Sequence, residues 1–292
     1  MKKSLTTAAL AVLTATTLAT TATAVSGTVS GDGGNRIAVI RGDGSALVKE
    51  GPLSAPWTVE GDSVKQIVVA GDRIGILKGD GSALVKEGGL GAQWTLEGDN
   101  VIQLALSGSR IGILKAGGDA YVKEGALGAQ WTVEGDNVKQ LQLSGDRIGI
   151  VKANGDTYVK EGALGAQWTL EGDNVKQLAL SGSRIGILKA NGDAYVKEGA
   201  LGAQWTVEAN GAVQLELSRD RIGVLKGDGS ALVKEGPLWA GWTVEGDNIV
   251  QLALSGSRIG ILKTNGDAYV KEGALGAQWT VEANGVTELA LS

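Results

Sequence analysis

Beyond residue 24 the chain alternates short apolar stretches with Gly-rich breaks, and apolar residues never recur at i, i+3, i+4 and i+7 over a sustained run. This pattern predicts strands and no helix. The segment from Arg184 to Asp220 shows it clearly. Ile185 to Lys189 is β-branched and apolar, and Asn191-Gly192-Asp193 reads as a tight turn. Ala194 to Glu198 is a second predicted strand, followed by a Gly-rich loop from Gly199 to Gln204. Trp205 to Glu208 is a third, Asn210-Gly211 a turn, and Val213 to Ser218 a fourth. Strands of about 4–6 residues suit a small antiparallel sheet.

The same pattern returns with a fixed step. Arg36, Arg73, Arg110, Arg147, Arg184, Arg221 and Arg258 open an R-I-[GA]-[IV] motif every 37 residues. Seven tryptophans keep that step: Trp57, Trp94, Trp131, Trp168, Trp205, Trp242 and Trp279. Trp239 alone is out of register. A period without insertion or deletion means seven copies of one unit, preceded by a short Gly-rich lead at 25–35.

Four strands repeated seven times predict an all-β fold, a seven-bladed β-propeller of 37-residue, four-stranded blades over 36–292. The chain ends support this. The last copy ends on the strand Val286 to Leu291, and the first begins at Arg36 without that strand before it. Pairing of Val286–Leu291 beside Ile37–Ile40 would close the ring and remove open sheet edges. An open β-solenoid is the rival architecture, but it requires capping units, and none is visible.

Residues 1–24 read differently. Lys2 and Lys3 precede an Ala/Leu/Thr/Val stretch that ends in Ala22-Thr23-Ala24, the form of a signal peptide cleaved after Ala24. A secreted, extracellular protein is therefore expected. The stretch is too Thr-rich and too short for a comfortable membrane anchor, so no membrane insertion is expected after cleavage.

Composition narrows the chemistry. The chain has 47 Gly and 8 Trp but no His, Cys or Phe. Zinc and haem sites, disulfides and His-dependent nucleophilic catalysis are thereby excluded, and no cofactor is expected. The Asp turns at Asp43, Asp80 and Asp228 lack the set of acidic ligands that a Ca²⁺ site requires. A net charge of −5 gives no basic excess for a nucleic-acid partner. Seven uniform glutamates, Glu60, Glu97, Glu134, Glu171, Glu208, Glu245 and Glu282, single out no catalytic centre, so an enzyme is not expected.

The order of the unit is a strand ending in small residues (Leu178-Ala179-Leu180-Ser181), R-I-G-I-L, an N-G-D or D-G turn, Y/L-V-K-E, a Gly loop and W-T-x-E. It resembles the blade of secreted propeller lectins, the tachylectin-like type and the bacterial seven-bladed lectins. It is most similar to short lectin-like propellers of secreted actinobacterial proteins, some of them lectin subunits of umbrella-type toxin particles. The resemblance implies recognition of a cell-surface glycan, weak at each site and strengthened by several blades at once. The alternative is a protein-binding subunit of an extracellular toxin or cell-wall complex.

A sugar site needs an aromatic face and polar groups for hydroxyls. The seven in-register tryptophans supply the first, and inter-blade packing is their competing role. Tyr121, Tyr158, Tyr195 and Tyr269 fill a slot that holds Leu47, Leu84 and Leu232 in the other blades. Strand alternation puts Lys123, Lys160, Lys197 and Lys271 on the same face as these tyrosines. The Tyr blades are thus the expected sites. The K-E pairs otherwise read as solvated surface, and the motif arginine as a structural tie between inner strands of neighbouring blades.

Overall fold

A computed structural model describes residues 35–292; the predicted signal peptide and residues 25–34 of the lead lie outside the described residues. Residues 36–292 form seven four-stranded antiparallel sheets, with no helix among the described residues. The architecture is the expected seven-bladed β-propeller. Blade 1 combines Val286–Leu291 with Arg36–Arg41, Ala46–Glu50 and Thr58–Gly61. Blades 2 to 7 follow at 64–98, 101–135, 138–172, 175–209, 212–246 and 249–283. The strand Val286–Leu291 pairs antiparallel with Arg36–Arg41, setting Ile37 opposite Leu291 and Val39 opposite Leu289.

Strand positions differ from the expectation by about one residue. In blade 5 the inner strand is Val175–Ser181, the second Arg184–Lys189, the third Ala194–Glu198 and the outer Thr206–Ala209. Trp205 thus closes the loop before the outer strand. The inner strand carries a bulge: Val175 faces Lys189 and Gln177 faces Leu188, which leaves Lys176 as the extra residue.

The core lies between blades, because each sheet buries both faces against its neighbours. Gly186 has to be small, since a Cβ there would stand 2.8 Å from Leu215 Cδ2 of blade 6. Blade 1 has Ala38 in this slot, and the β-branched Ile67 and the smaller Val69 hold the facing positions in blade 2.

A side-chain amide then fixes each pair of inner strands. Gln177 Nε2 donates to Leu215 O at 2.9 Å, and Leu215 N donates to Gln177 Oε1 at 3.0 Å. The arrangement recurs from Gln66, Gln103, Gln140, Gln214 and Gln251 to the next blade. These bonds satisfy inner-strand backbone groups that would otherwise be buried without partners. At the closing interface the residue is Glu288, whose Oε1 accepts from Ile67 N at 3.1 Å. Burial pushes the Glu288 carboxyl up to about 8.

Candidate functional site

The third strand of each blade sends alternate side chains to opposite neighbours. In blade 5, Tyr195 packs with Leu201 and Trp205 against a cluster that includes Val151 and Val159 of blade 4. Lys197 faces the same way. Its Nζ pairs with Glu171 of blade 4, donates to Leu201 O, and lies 4.8 Å from the centroid of the Trp205 ring. Carboxylate, carbonyl and indole together replace the water that Lys197 loses on burial.

The clasp occurs seven times. Lys49, Lys86, Lys123, Lys160, Lys197, Lys234 and Lys271 pair with Glu282, Glu60, Glu97, Glu134, Glu171, Glu208 and Glu245 respectively. Each lysine lies 4.7–5.0 Å from its tryptophan centroid, at Trp57, Trp94, Trp131, Trp168, Trp205, Trp242 and Trp279. All seven tryptophans are half-buried. Burial raises the carboxyl pKa of Glu97, Glu134, Glu171 and Glu208, against the opposing pull of the paired lysine. Each of the seven glutamates keeps a buried Oε1 without a hydrogen-bond partner.

The reading of the K-E pairs as solvated surface is corrected here. Lys197 is only 2% exposed, whereas Glu198, on the opposite strand face, is exposed. Glu198 takes Arg184 across the sheet at 3.2 Å, and Arg184 Nη2 also donates to Gly236 O of blade 6 at 2.6 Å. The motif arginine does tie neighbouring blades, as expected. It does so through the loop before the next outer strand, not through the inner strands.

The Tyr/Leu slot lies at this interface, and Leu47 and Leu84 fill it in blades 1 and 2 within the hydrophobic clusters. Tyr121, Tyr158, Tyr195 and Tyr269 are half-buried, each packed against the hydrophobic cluster between its own blade and the one before. In blade 6 the slot holds Leu232, and a cavity of about 240 Å³ opens between blades 5 and 6. Glu208, Ala209 and Asn210 form one wall; Val224, Lys226, Leu232 and Trp242 form the other. Lys226 Nζ donates to Asn210 O across the cleft. The cleft therefore offers an indole, aliphatic surface, an ammonium and an amide, while the Glu208 carboxylate behind it stays buried in its pair with Lys234. The Tyr/Leu exchange was visible in the sequence, but it pointed to the Tyr blades, and a groove stands at a Leu blade.

Two surface features went unread in the sequence. Val59, Leu96, Val133, Leu170, Val207, Val244 and Val281, one per outer strand, are 55–69% exposed. Trp239 is 87% exposed on the loop Gly236-Pro237-Leu238-Trp239, where Ala240 N donates to Pro237 O at 2.8 Å. The out-of-register position of Trp239 was the available signal.

No family model and no curated protein sequence matches the chain. Solved structures of similar fold do exist. Prp20p from Saccharomyces cerevisiae, the yeast RCC1, is 12% identical, with 89% of this chain and 87% of that one covered at a TM-score of 0.60. Human WBSCR16 is also 12% identical, with 78% and 83% covered at 0.61. The computationally designed protein Ika8 is 17% identical, with 90% and 86% covered at 0.56. At these identities the similarity is one of propeller fold alone.

Proposed function

We propose that the chain is a secreted, non-catalytic, multivalent carbohydrate-binding propeller that recognises cell-surface glycans in clefts between blades. The cleft at Trp242 and Leu232 carries this reading. It sets an indole and aliphatic surface beside Asn210 and Lys226, a combination suited to the apolar and hydroxyl-bearing sides of a sugar ring. The lectin-like order of the repeat points the same way. The test is a glycan array and cell-wall pull-down with the wild type and Leu232→Tyr. Four sister blades already carry Tyr in this slot, so the variant is expected to fold and to lose signal. Absence of wild-type binding to any glycan, or full binding by the variant, overturns the reading.

A second reading, a protein-binding subunit of an extracellular complex, is favoured by the seven exposed Val and Leu side chains of the outer rim and by Trp239. Prp20p, of similar fold, is described by its binding to Gsp1p and histones. A stoichiometric protein co-purifying from culture supernatant, and released by Trp239→Ser or Val207→Ser, supports it. A lone monomer with intact glycan binding rejects it. Secretion itself is tested by N-terminal sequencing of the extracellular protein, with Val25 the expected first residue.

A further inference from the structure

The second residue of every inner strand lies at the same end of the propeller axis. Around the ring these residues are Lys65, Ile102, Lys139, Lys176, Val213, Val250 and Thr287. Four consecutive members, Lys176, Val213, Val250 and Thr287, line one cavity of about 770 Å³ at this mouth. That size lies within the usual range for small-molecule sites. The mouth is two-sided: Val213 and Val250 form an apolar arc, while Lys139 and Lys176 stand on adjacent blades with Lys65 further round.

The lysines are not required by the fold, because the same slot holds Ile, Val or Thr in the other four blades. None of the three forms an ion pair among the described residues, although Lys226 and Asp228 also line the cavity. Nearby lysines at the ends of second strands reach an aspartate, as in Lys115–Asp99 at 2.9 Å, Lys152–Asp136 at 2.7 Å and Lys189–Asp173 at 2.8 Å. Lys65, Lys139 and Lys176 have no carboxylate partner among the described residues; Lys139 Nζ donates only to Val175 O of the next blade, at 2.9 Å. Partial burial at the mouth lowers the Lys139 pKa. In a chain of net charge −5, Lys65, Lys139 and Lys176 are three exposed cations on inner strands at one mouth, with Lys176 lining the cavity itself.

We propose that this axial mouth binds a phosphomonoester carried on an apolar body, the phosphate held by Lys139, Lys176 and Lys65 and the apolar part against Val213 and Val250. A phosphate monoester brings close to two negative charges and three acceptor oxygens, matching three ammonium donors better than a single carboxylate does. The axial cavity shares Lys226 with the cleft between blades 5 and 6, but none of the residues assigned here to the phosphate or the apolar body lines that cleft, so the two readings are tested separately.

The test uses the mature protein at low ionic strength, where exposed charges are least screened. Hexyl phosphate, inorganic phosphate and hexanoate are titrated while backbone amide shifts are followed. Hexyl phosphate is expected to bind at about 1 mM or tighter, and roughly tenfold better than either control. The amides of Lys176, Val213, Val250 and Thr287 should move. The double variant Lys139→Ile, Lys176→Val takes residues that sister blades already carry, and should lose binding about tenfold or more. Three results overturn the proposal: no saturable binding of hexyl phosphate, equal binding of a control, or shifts confined to other residues. The shift map of the wild type decides the matter even if the variant fails to fold.

Discussion

Lys197 of blade 5 and Glu171 of blade 4 form a buried ion pair, with the Trp205 indole 4.8 Å from the ammonium. The pair joins strands of two different sheets, so it reports on contact between blades and not within one. Lys197→Met leaves Glu171 buried without its counter-charge, and a loss of about 3–5 kcal/mol is expected. Lys197→Met combined with Glu171→Leu should recover most of that loss. Urea unfolding of both variants checks this. Equal destabilisation by the single and double changes would show that the charge is not the issue.

Glu288 gives a pH dependence of definite sign. Its folded pKa of about 8 lies above the ordinary 4.5, so the native state prefers the protonated acid. The associated stability is complete below about pH 4.5, declines as pH rises towards about 8, and is gone above it. The shift corresponds to a contribution on the order of 5 kcal/mol. Glu288→Gln restores the amide that the other six interfaces use. It should remove this part of the slope and raise the melting temperature at pH 8 and above, as read by calorimetry at several pH values.

Gly186→Ala should destabilise by about 1–3 kcal/mol through overpacking against Leu215. Adding Leu215→Ile and Leu217→Val reproduces the Ala38 interface with Ile67 and Val69, and should recover part of the loss. Chemical denaturation of the two variants makes the comparison. A harmless single change would mean that blade spacing adjusts freely.

Removing residues 286–292 leaves Arg36–Arg41 without its inner partner and opens the ring. The truncated chain should expose an apolar sheet edge and aggregate. Light scattering after refolding tests this; a monodisperse, cooperatively folding product would contradict the role of closure.

The propeller was legible because its signals are local and repeat seven times. The step from Arg36 to Arg258, the N-G-D turns and the unpaired strand Val286–Leu291 specify blade number and closure without any side-chain detail. The side-chain roles were less legible because they act across blades. Lys197 and Glu198 are adjacent in sequence, and strand alternation separates their faces. Nothing local says that a neighbouring sheet buries the Lys197 face, with Glu171 as partner 26 residues away. The cleft at Leu232 depends likewise on how two neighbouring blades meet, since Leu47 and Leu84 occupy the same slot inside hydrophobic clusters, and a binary apolar pattern does not record that. Glu288 stands in the slot of six glutamines, a difference visible in the sequence whose meaning requires the buried amide contacts to the next inner strand.

The 37-residue repeat and the structural blade are out of phase, since each repeat contributes three strands to one sheet and the inner strand to the next. The repeat is therefore better regarded as a link than as a brick. Any seven consecutive links make the same ring wherever the chain is cut, so a circular permutant opened between an outer strand and the next inner strand retains every interface. Gain or loss of a single link would leave the links themselves intact and would be felt as a change in the curvature that all seven interfaces share.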